Sequence, residues 1–280
     1  MGKFDDVLLA SDFDNTILNT ERPRRTGGPI PPVSQGNLTA IRYFMAEGGR
    51  FAVATGRALP AFRLFADQIS MNAPAVVCNG GALYDFQTES YLDIMELPEE
   101  IRGQGQAVLD RFPTAAVEAY HLDDVIHAVR PNLYTRQHEH VTHAGVEPVS
   151  ALTDVPVPLV KIMFEDDHEH LTALRDYVLQ QAWSENYEIF FSDRTLLEVT
   201  RKGASKGAMV ARLAQRLGIS PAHIYCAGDE NNDLSMLTMA AEGFAPANCV
   251  ETVRNCGATI VADCDHDTLA EIIAILDKRY

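Results

Sequence analysis

Four short apolar runs, each ending abruptly in polar residues, constrain this chain more than any other feature of its sequence. Residues 7–10 run into Ser11-Asp12, residues 51–54 into Thr55-Gly56-Arg57, residues 75–78 into Asn79-Gly80-Gly81, and residues 224–227 into Gly228-Asp229. A short, continuously apolar run bounded by turn residues reads as a strand buried on both faces, as in a parallel sheet. Between the runs, apolar residues recur at helical spacing. Leu38, Ile41, Phe44 and Met45 follow the candidate N-cap Ser34 and stop at Gly48-Gly49; Phe62, Phe65 and Ile69 mark a second helix. Met209, Val210, Leu213 and Leu217 share one face of a third, closed by Gly218. This alternation predicts a doubly wound α/β core with a parallel, Rossmann-like sheet. In such sheets ligands sit beyond the carboxyl ends of the strands, where strand order reverses. Asp12, Thr55, Asn79 and Asp229 are therefore expected to converge on one crevice.

The alternation breaks after Gly81. Residues 84–200 carry strand candidates near 125–129, 157–164 and 196–199, and helix candidates near 99–112 and 168–182. Loops bearing Asp, Glu and His separate them, which suggests an inserted α+β unit. The expected organisation is a core made of 1–83 and 201–280, with a cap at 84–200. Residues 21–32, rich in Arg, Gly and Pro, read as a loop.

Composition narrows the function. A net charge of −16 argues against nucleic acid and against an anionic membrane surface, since both require clustered Lys and Arg. The five cysteines include no CxxC pair and are odd in number, so a disulfide framework or zinc ribbon is not expected and a reducing cytoplasm fits. The apolar run near the N-terminus is too short for a signal peptide, and no segment approaches the roughly 18 apolar residues of a membrane span.

Asp12-Phe13-Asp14 stands just past the first strand. In an extended segment residues i and i+2 point the same way, so two carboxylates would lie together and need a cation or a shared proton. Mg²⁺ suits hard oxygen ligands, and Asp229 can supply a further carboxylate. Thr55 offers a hydroxyl donor and Lys206 a positive charge at a helix start. These are the parts that phosphoryl transfer requires. Each alone has a plainer reading: DxD as a solvated turn, Thr55 as a cap, Lys206 as a surface lysine. Residues 229–233 also resemble the start of a Ca²⁺ loop, but Leu234 stands where that loop needs Gly. Their joint occurrence, in order, at strand and helix ends is the informative fact.

Asp12-Phe13-Asp14-Asn15-Thr16 resembles the first motif, DxDx(T/V), of the haloacid dehalogenase superfamily. Ala54-Thr55-Gly56-Arg57 resembles the second motif as Cof-type members carry it, Lys206 the third, and Gly228-Asp229-Glu230-Asn231-Asn232-Asp233 the fourth, GDxxND. Asn79-Gly80 resembles the NG of the same subfamily, and the insertion resembles its large α/β cap. The resemblance implies a Mg²⁺-dependent phosphatase acting on a small phosphorylated substrate, a sugar phosphate foremost. It implies Asp12 as nucleophile and metal ligand, and Asp14 as acid–base residue whose backbone carbonyl also meets the metal. Asp229 would be a further metal ligand, with Asp233 in support. Thr55, Lys206 and Asn232 would hold the phosphoryl group together with backbone N–H groups near Phe13 and Gly56. Dehalogenase members lack the second Asp of motif one, so Asp14 points to phosphate chemistry. Two departures stand out: Asn15 replaces the usual Gly, and the 21–32 loop is longer than typical. A phosphomutase, which returns the phosphoryl group to substrate, and a non-catalytic sugar-phosphate sensor are the rival readings. Release of inorganic phosphate separates the first, and the intact set Asp12, Asp14, Lys206 and Asp229 weighs against the second.

Outside these motifs, His138, Glu139, His140 and His143 cluster in the presumed cap, with His168 and His170 further on. A metal site is one reading and a polar loop the plainer one. Trp183 and Tyr187 read as core, with stacking on a ring substrate as the alternative. Arg57 and Asn79 are candidate substrate contacts; Arg57 could equally pair with an acidic neighbour.

Overall fold

The first apolar run forms β1 (Leu8–Ser11), buried along its whole length. In chain order it is followed by α1 (Glu21–Thr26), α2 (Gln35–Ala46), β2 (Arg50–Val53), α3 (Leu59–Ala66), β3 (Ala75–Val77), β4 (Ala82–Asp85) and β5 (Ser90–Ile94). The insertion contributes α4 (Ile101–Arg111), β6 (Ala116–His121), β7 (Ile126–Val129), α5 (Leu133–Thr142), β8 (Val146–Val149), β9 (Leu159–Glu165), α6 (His168–Leu179), β10 (Tyr187–Asp193) and β11 (Leu196–Arg201). The chain then runs through α7 (Lys206–Leu217), β12 (Ile224–Ala227), α8 (Leu234–Met239), β13 (Glu242–Pro246), α9 (Glu251–Arg254), β14 (Thr259–Val261) and α10 (Thr268–Asp277). This computed structural model describes residues 2–26, 28–122 and 125–280.

The core sheet has the order β14-β13-β12-β1-β2, and every pair in it is parallel. A parallel bridge between Ala54 and Val76 continues it toward β3. From β1 the chain moves outward in one direction through β2 and β3, then returns to the other side through β12, β13 and β14. The switch of direction lies between β1 and β12, so the carboxyl ends of those two strands flank the position where such sheets bind ligands. Caps set the helices that matter here. Ser34 Oγ accepts from Asn37 N (3.2 Å) at the start of α2. Ser205 Oγ accepts from Ala208 N (3.1 Å) at the start of α7, and Gly218, left-handed at φ 72°, ends that helix.

Two compact units result. One contains the segments up to Gly56, Phe62–Asp93 and Ser205–Tyr280; the other contains Arg57–Ala61 and Ile94–Ala204. Residues 84–93, expected in the inserted unit, instead lie with the core because β4 pairs antiparallel with β3 and β5 completes that small sheet. The inserted unit is a mixed sheet of order β10-β11-β9-β6-β7-β8, antiparallel except where β7 meets β8. Val117, Ala119, Ile162, Phe164, Leu197 and Val199 form its apolar face and pack with residues of α4 and α6. Trp183 packs edge-on against Tyr187 (5.8 Å between ring centroids) beside this core, which is the packing reading of that pair.

Three expectations change. The 21–32 segment is not all loop: α1 begins where Asn15 Oδ1 accepts from Thr20 N (3.1 Å) and Glu21 N (2.9 Å), although Gly27 lies outside the described residues. The polar 138–143 segment is not a loop either. His138, Glu139 and His140 lie on α5, which has few apolar residues but starts from a capping box between Asn132 and Thr135 and ends at left-handed His143. The sequence reading does not include β6, whose Glu118, placed as a solvent-facing residue would be, is in fact buried. None of the five cysteines is disulfide-bonded.

Candidate active site

β1 hands over to Asp12 without leaving the sheet, since Asp12 N donates to Ala227 O of β12 (2.8 Å). Asp12 is thereby buried, beside the end of the neighbouring strand. β12 ends at Gly228-Asp229, and the chain turns back at once. Asp233 Oδ2 accepts from the backbone N–H groups of Asp229 (2.9 Å) and Glu230 (3.0 Å). A side chain at residue 228 is sterically forbidden, because a Cβ there would lie 2.4 Å from that of Asp233. The same aspartate turns its other oxygen to Lys206, whose Nζ donates to Asp233 Oδ1 (2.6 Å) and to Asp12 Oδ1 (2.6 Å). Lys206 is the first residue of α7, behind its Ser205 cap, and is only 1% exposed. Thr16 Oγ1 donates to Asp229 Oδ1 (3.0 Å).

A second set lies beyond β2 and β3. Thr55 is buried, with its N–H on Val76 O (2.8 Å) and its carbonyl accepting from Asn79 N (3.1 Å). Asn79, left-handed at φ 56°, accepts through Oδ1 from Asn232 Nδ2 (2.8 Å). Gly56 admits this approach, since a Cβ there would sit 2.9 Å from Asn79 Oδ1. Phe13 is buried against Phe62 and Phe65, with centroids 5.4 and 5.5 Å away. Asp14 is half-buried and forms a bridge with Leu18, while Asn15 between them adopts φ 53°. Left-handed backbone explains the departure at residue 15: Asn tolerates a conformation that otherwise favours Gly.

The electrostatics identify what the cluster lacks. Asp12, Asp229 and Asp233 bring carboxylate oxygens within 4.8 Å of one another, all buried. Burial, then the charge of Asp233, pushes the Asp12 carboxyl up to about 7 against the pull of Lys206. Burial and then the charges of Asp12 and Asp233 push Asp229 well above the ordinary carboxylate range. Burial alone would lower Lys206, but Asp12 and Asp233 outweigh it and keep the ammonium charged. Were all three carboxylates ionised against the one ammonium, two negative charges would be left. A divalent cation neutralises that charge, and an all-oxygen donor set suits Mg²⁺.

A haloacid dehalogenase-like hydrolase family model matches residues 9–273. The chain belongs to this family.

Pyridoxal phosphate phosphatase YbhA of Escherichia coli is 23% identical to this hydrolase over 274 residues, covering 95% of this chain and 97% of that protein. The putative phosphatase YxeH of Bacillus subtilis is 26% identical over 258 residues, covering 88% and 89%. Among solved structures, a haloacid dehalogenase-like hydrolase from Bacteroides thetaiotaomicron superposes with a TM-score of 0.82 at 20% identity, covering 96% of this chain and 99% of its own. The subclass IIB sugar phosphatase BT4131 superposes with a TM-score of 0.78 at 18% identity, covering 96% and 98%. The fold is that of Cof-type, capped members, and the enzyme class is phosphoric monoester hydrolase.

Within this hydrolase, Asp12, Lys206, Asp229 and Asp233 come together in one hydrogen-bonded cluster, and Asn79 joins Asn232. Asp14 is not among the residues whose side-chain oxygens form the three-carboxylate group. Arg57 falls in the unit of the insertion, and the cluster is built without it. Thr16 was not singled out as a site residue. Its signal was present in the last position of the first motif, where a hydroxyl two residues after Asp14 reaches the strand-end carboxylate of Asp229. Among the described residues no helix is long and apolar enough to cross a membrane.

Proposed function

We propose that this chain is a Mg²⁺-dependent, cytoplasmic phosphatase that hydrolyses a small phosphorylated metabolite, a sugar phosphate foremost, through an aspartyl phosphate on Asp12. The observation that carries the reading is the buried Asp12–Lys206–Asp233 chain of hydrogen bonds beside Asp229. A structural salt bridge would need one carboxylate, whereas Lys206 bridges two beside a third, and all three ionised would be two charges short of neutrality.

Asp12 and Asp229 would hold the ion with the backbone carbonyl of Asp14, and Asp233 would support them; the ion would neutralise charge on the phosphoryl oxygens. An oxygen of Asp12 attacks phosphorus. The bond from phosphorus to the ester oxygen breaks, and that oxygen leaves with the electron pair and takes a proton from Asp14. Asp14, now a carboxylate, accepts a proton from water as the water oxygen attacks phosphorus. The bond from Asp12 to phosphorus breaks, releasing inorganic phosphate and regenerating Asp12. Thr55, Lys206 and Asn232, with N–H groups near Phe13 and Gly56, hold the phosphoryl oxygens. Asn79, which accepts from Asn232, contributes to substrate choice. YbhA is named for pyridoxal phosphate and BT4131 for sugars, so capped relatives at similar distance serve different phosphate esters.

Phosphate release from an aryl phosphate and from a panel of metabolite monoesters tests both levels. Expected are Mg²⁺ dependence, loss in EDTA, loss of several orders of magnitude in Asp12→Asn, and sugar phosphates at the head of the ranking. Full turnover in EDTA refutes the mechanism. A panel led by pyridoxal phosphate reassigns the substrate and leaves the chemistry standing.

A further inference from the structure

The inserted sheet has an apolar face and, opposite it, a buried polar one. Register puts Glu118, Met163 and Glu198 in one row across β6, β9 and β11, and Tyr120, Lys161 and Thr200 in the next; Glu165 lies in the row beyond Glu118. All of these polar residues are at most 3% exposed. Lys161 pairs with Glu198 (3.3 Å) and sits over the Tyr120 ring (4.3 Å). The two remaining glutamates meet α5. Thr135 and His138, three residues apart and so on one face of that helix, both reach them. Thr135 Oγ1 donates to Glu165 Oε2, and Tyr120 donates its hydroxyl to Glu118 Oε2. His138 Nδ1 lies 3.0 Å from Glu118 Oε2 and 3.7 Å from Glu165 Oε1.

We propose that Glu118, His138 and Glu165 form a binding site for a zinc-class divalent cation within the inserted unit, separate from the Asp12 cluster. Three observations carry this. The ligand atoms of the three residues all lie within 4.8 Å of one another. Two donors about 2.0–2.1 Å from a tetrahedral zinc ion stand roughly 3.3–3.4 Å apart, between the two imidazole–carboxylate separations observed. Glu165 Oε1, in a fully buried side chain, has no hydrogen-bond partner among the described residues, and it is the oxygen turned toward His138. Charge agrees: with Lys161 committed to Glu198, two carboxylates and a neutral imidazole match one divalent ion. His138, with 17% of its side chain exposed, gives the ion a way in. An imidazole with two carboxylates favours zinc, or cobalt in its place, over Mg²⁺.

The experiment is zinc titration of the full chain against a chromophoric chelator, with millimolar Mg²⁺ present to occupy the core carboxylates. Cobalt substitution, read by visible absorption, reports the geometry. One tightly held zinc per chain is expected in the wild type and in Asp229→Asn. Its affinity should fall by more than the ~10–100-fold that loss of a mere outer-shell partner costs in His138→Gln and in Glu165→Gln. Glu165→Gln keeps the shape and an oxygen that can accept from Thr135, so it should keep the wild-type unfolding midpoint in metal-free buffer while losing the ion. Absence of tight zinc binding, or zinc retained in both cap variants, overturns the site and leaves a shared proton. Zinc lost in Asp229→Asn but kept in His138→Gln assigns it to the core and also overturns the site. Phosphate release is a separate readout, so failure here leaves the phosphatase reading untouched.

Discussion

Lys206 is the residue on which most of the site turns, because it is a buried ammonium held between two carboxylates 27 and 194 residues away in the chain. Read as a phosphoryl-binding lysine, it would affect turnover more than folding. Its burial adds a second role. Removing one partner from a buried ionic cluster leaves charge uncompensated, at about 3–5 kcal/mol. Lys206→Met is therefore expected to lower the unfolding midpoint in metal-free buffer as well as to reduce turnover by about 10²-fold or more. Mg²⁺ should recover much of the midpoint and none of the turnover, as calorimetry and phosphate release in parallel would reveal. A variant with wild-type kinetics would make Lys206 purely structural. Asp14 tests the other half of the chemistry. Asn keeps its shape but can neither give nor take the proton, and general acid–base catalysis is worth about 10²–10⁴-fold. An aryl phosphate needs little protonation of its leaving group, so Asp14→Asn should still phosphorylate Asp12 and then stall. The expected signature is a hydroxylamine-sensitive mass increase on the Asp12 peptide, weak or absent with a sugar phosphate. Normal turnover of both substrates would remove Asp14 from the acid–base role.

At the scale of elements, the site depends on where strands and helices begin and end rather than on their interiors. Asp12 and Asp229 stand at strand ends, and Lys206 opens a helix. The Ser205 cap positions that helix start, so a stability effect there should carry a catalytic one. Ser205→Ala removes the acceptor for Ala208 N and is expected to cost about 0.5–2 kcal/mol. It should also raise KM or lower kcat, since Lys206 is the next residue. A comparable loss of stability with unchanged kinetics would mean that α7 holds Lys206 in place without its cap. α5 shows the opposite case, a helix whose sequence carries almost no apolar stripe. It exists because Asn132 and Thr135 satisfy its first N–H groups and because Thr135 and His138 reach buried glutamates.

For the whole molecule, the carboxylate cluster links pH, metal and stability. Burial raises Asp12 from the ordinary 3.8 to about 7 in the metal-free protein, and Asp229 moves the same way. A carboxyl whose pKa is raised by folding binds its proton more tightly in the folded state. The stability this contributes is complete below the unfolded-state pKa and is lost as pH rises through about 7. Mg²⁺ competes for the same oxygens, so its benefit should grow as the protons leave. The rise in unfolding midpoint on adding Mg²⁺ is expected to be small near about pH 5 and larger near about pH 8. A ligand at 100 times its Kd contributes about 2.7 kcal/mol. Equal increments at both pH values would place the Mg²⁺ elsewhere than on these carboxylates.

The residues of the candidate cluster were legible in the sequence because their signals are local. An apolar run that stops at Asp12 or Asp229, helical spacing after Lys206 and a glycine closing its helix are each readable within a dozen residues. The same locality explains what was not legible. Whether β4 and β5 belong to the core unit or to the insertion depends on pairing with β3, which no pattern inside residues 84–93 encodes. Glu118 and Glu165 alternate along their strands as solvent-facing residues would, and His138 lies in a polar stretch without helical periodicity. Only the folded register of β6, β9 and α5 turns them into one buried cluster. In the core, likewise, the sequence named the carboxylates. Strand order brought Thr16 to Asp229 across 213 residues and Lys206 to Asp12 across 194, because adjacency in a sheet is a property of the assembled fold and not of any segment in it.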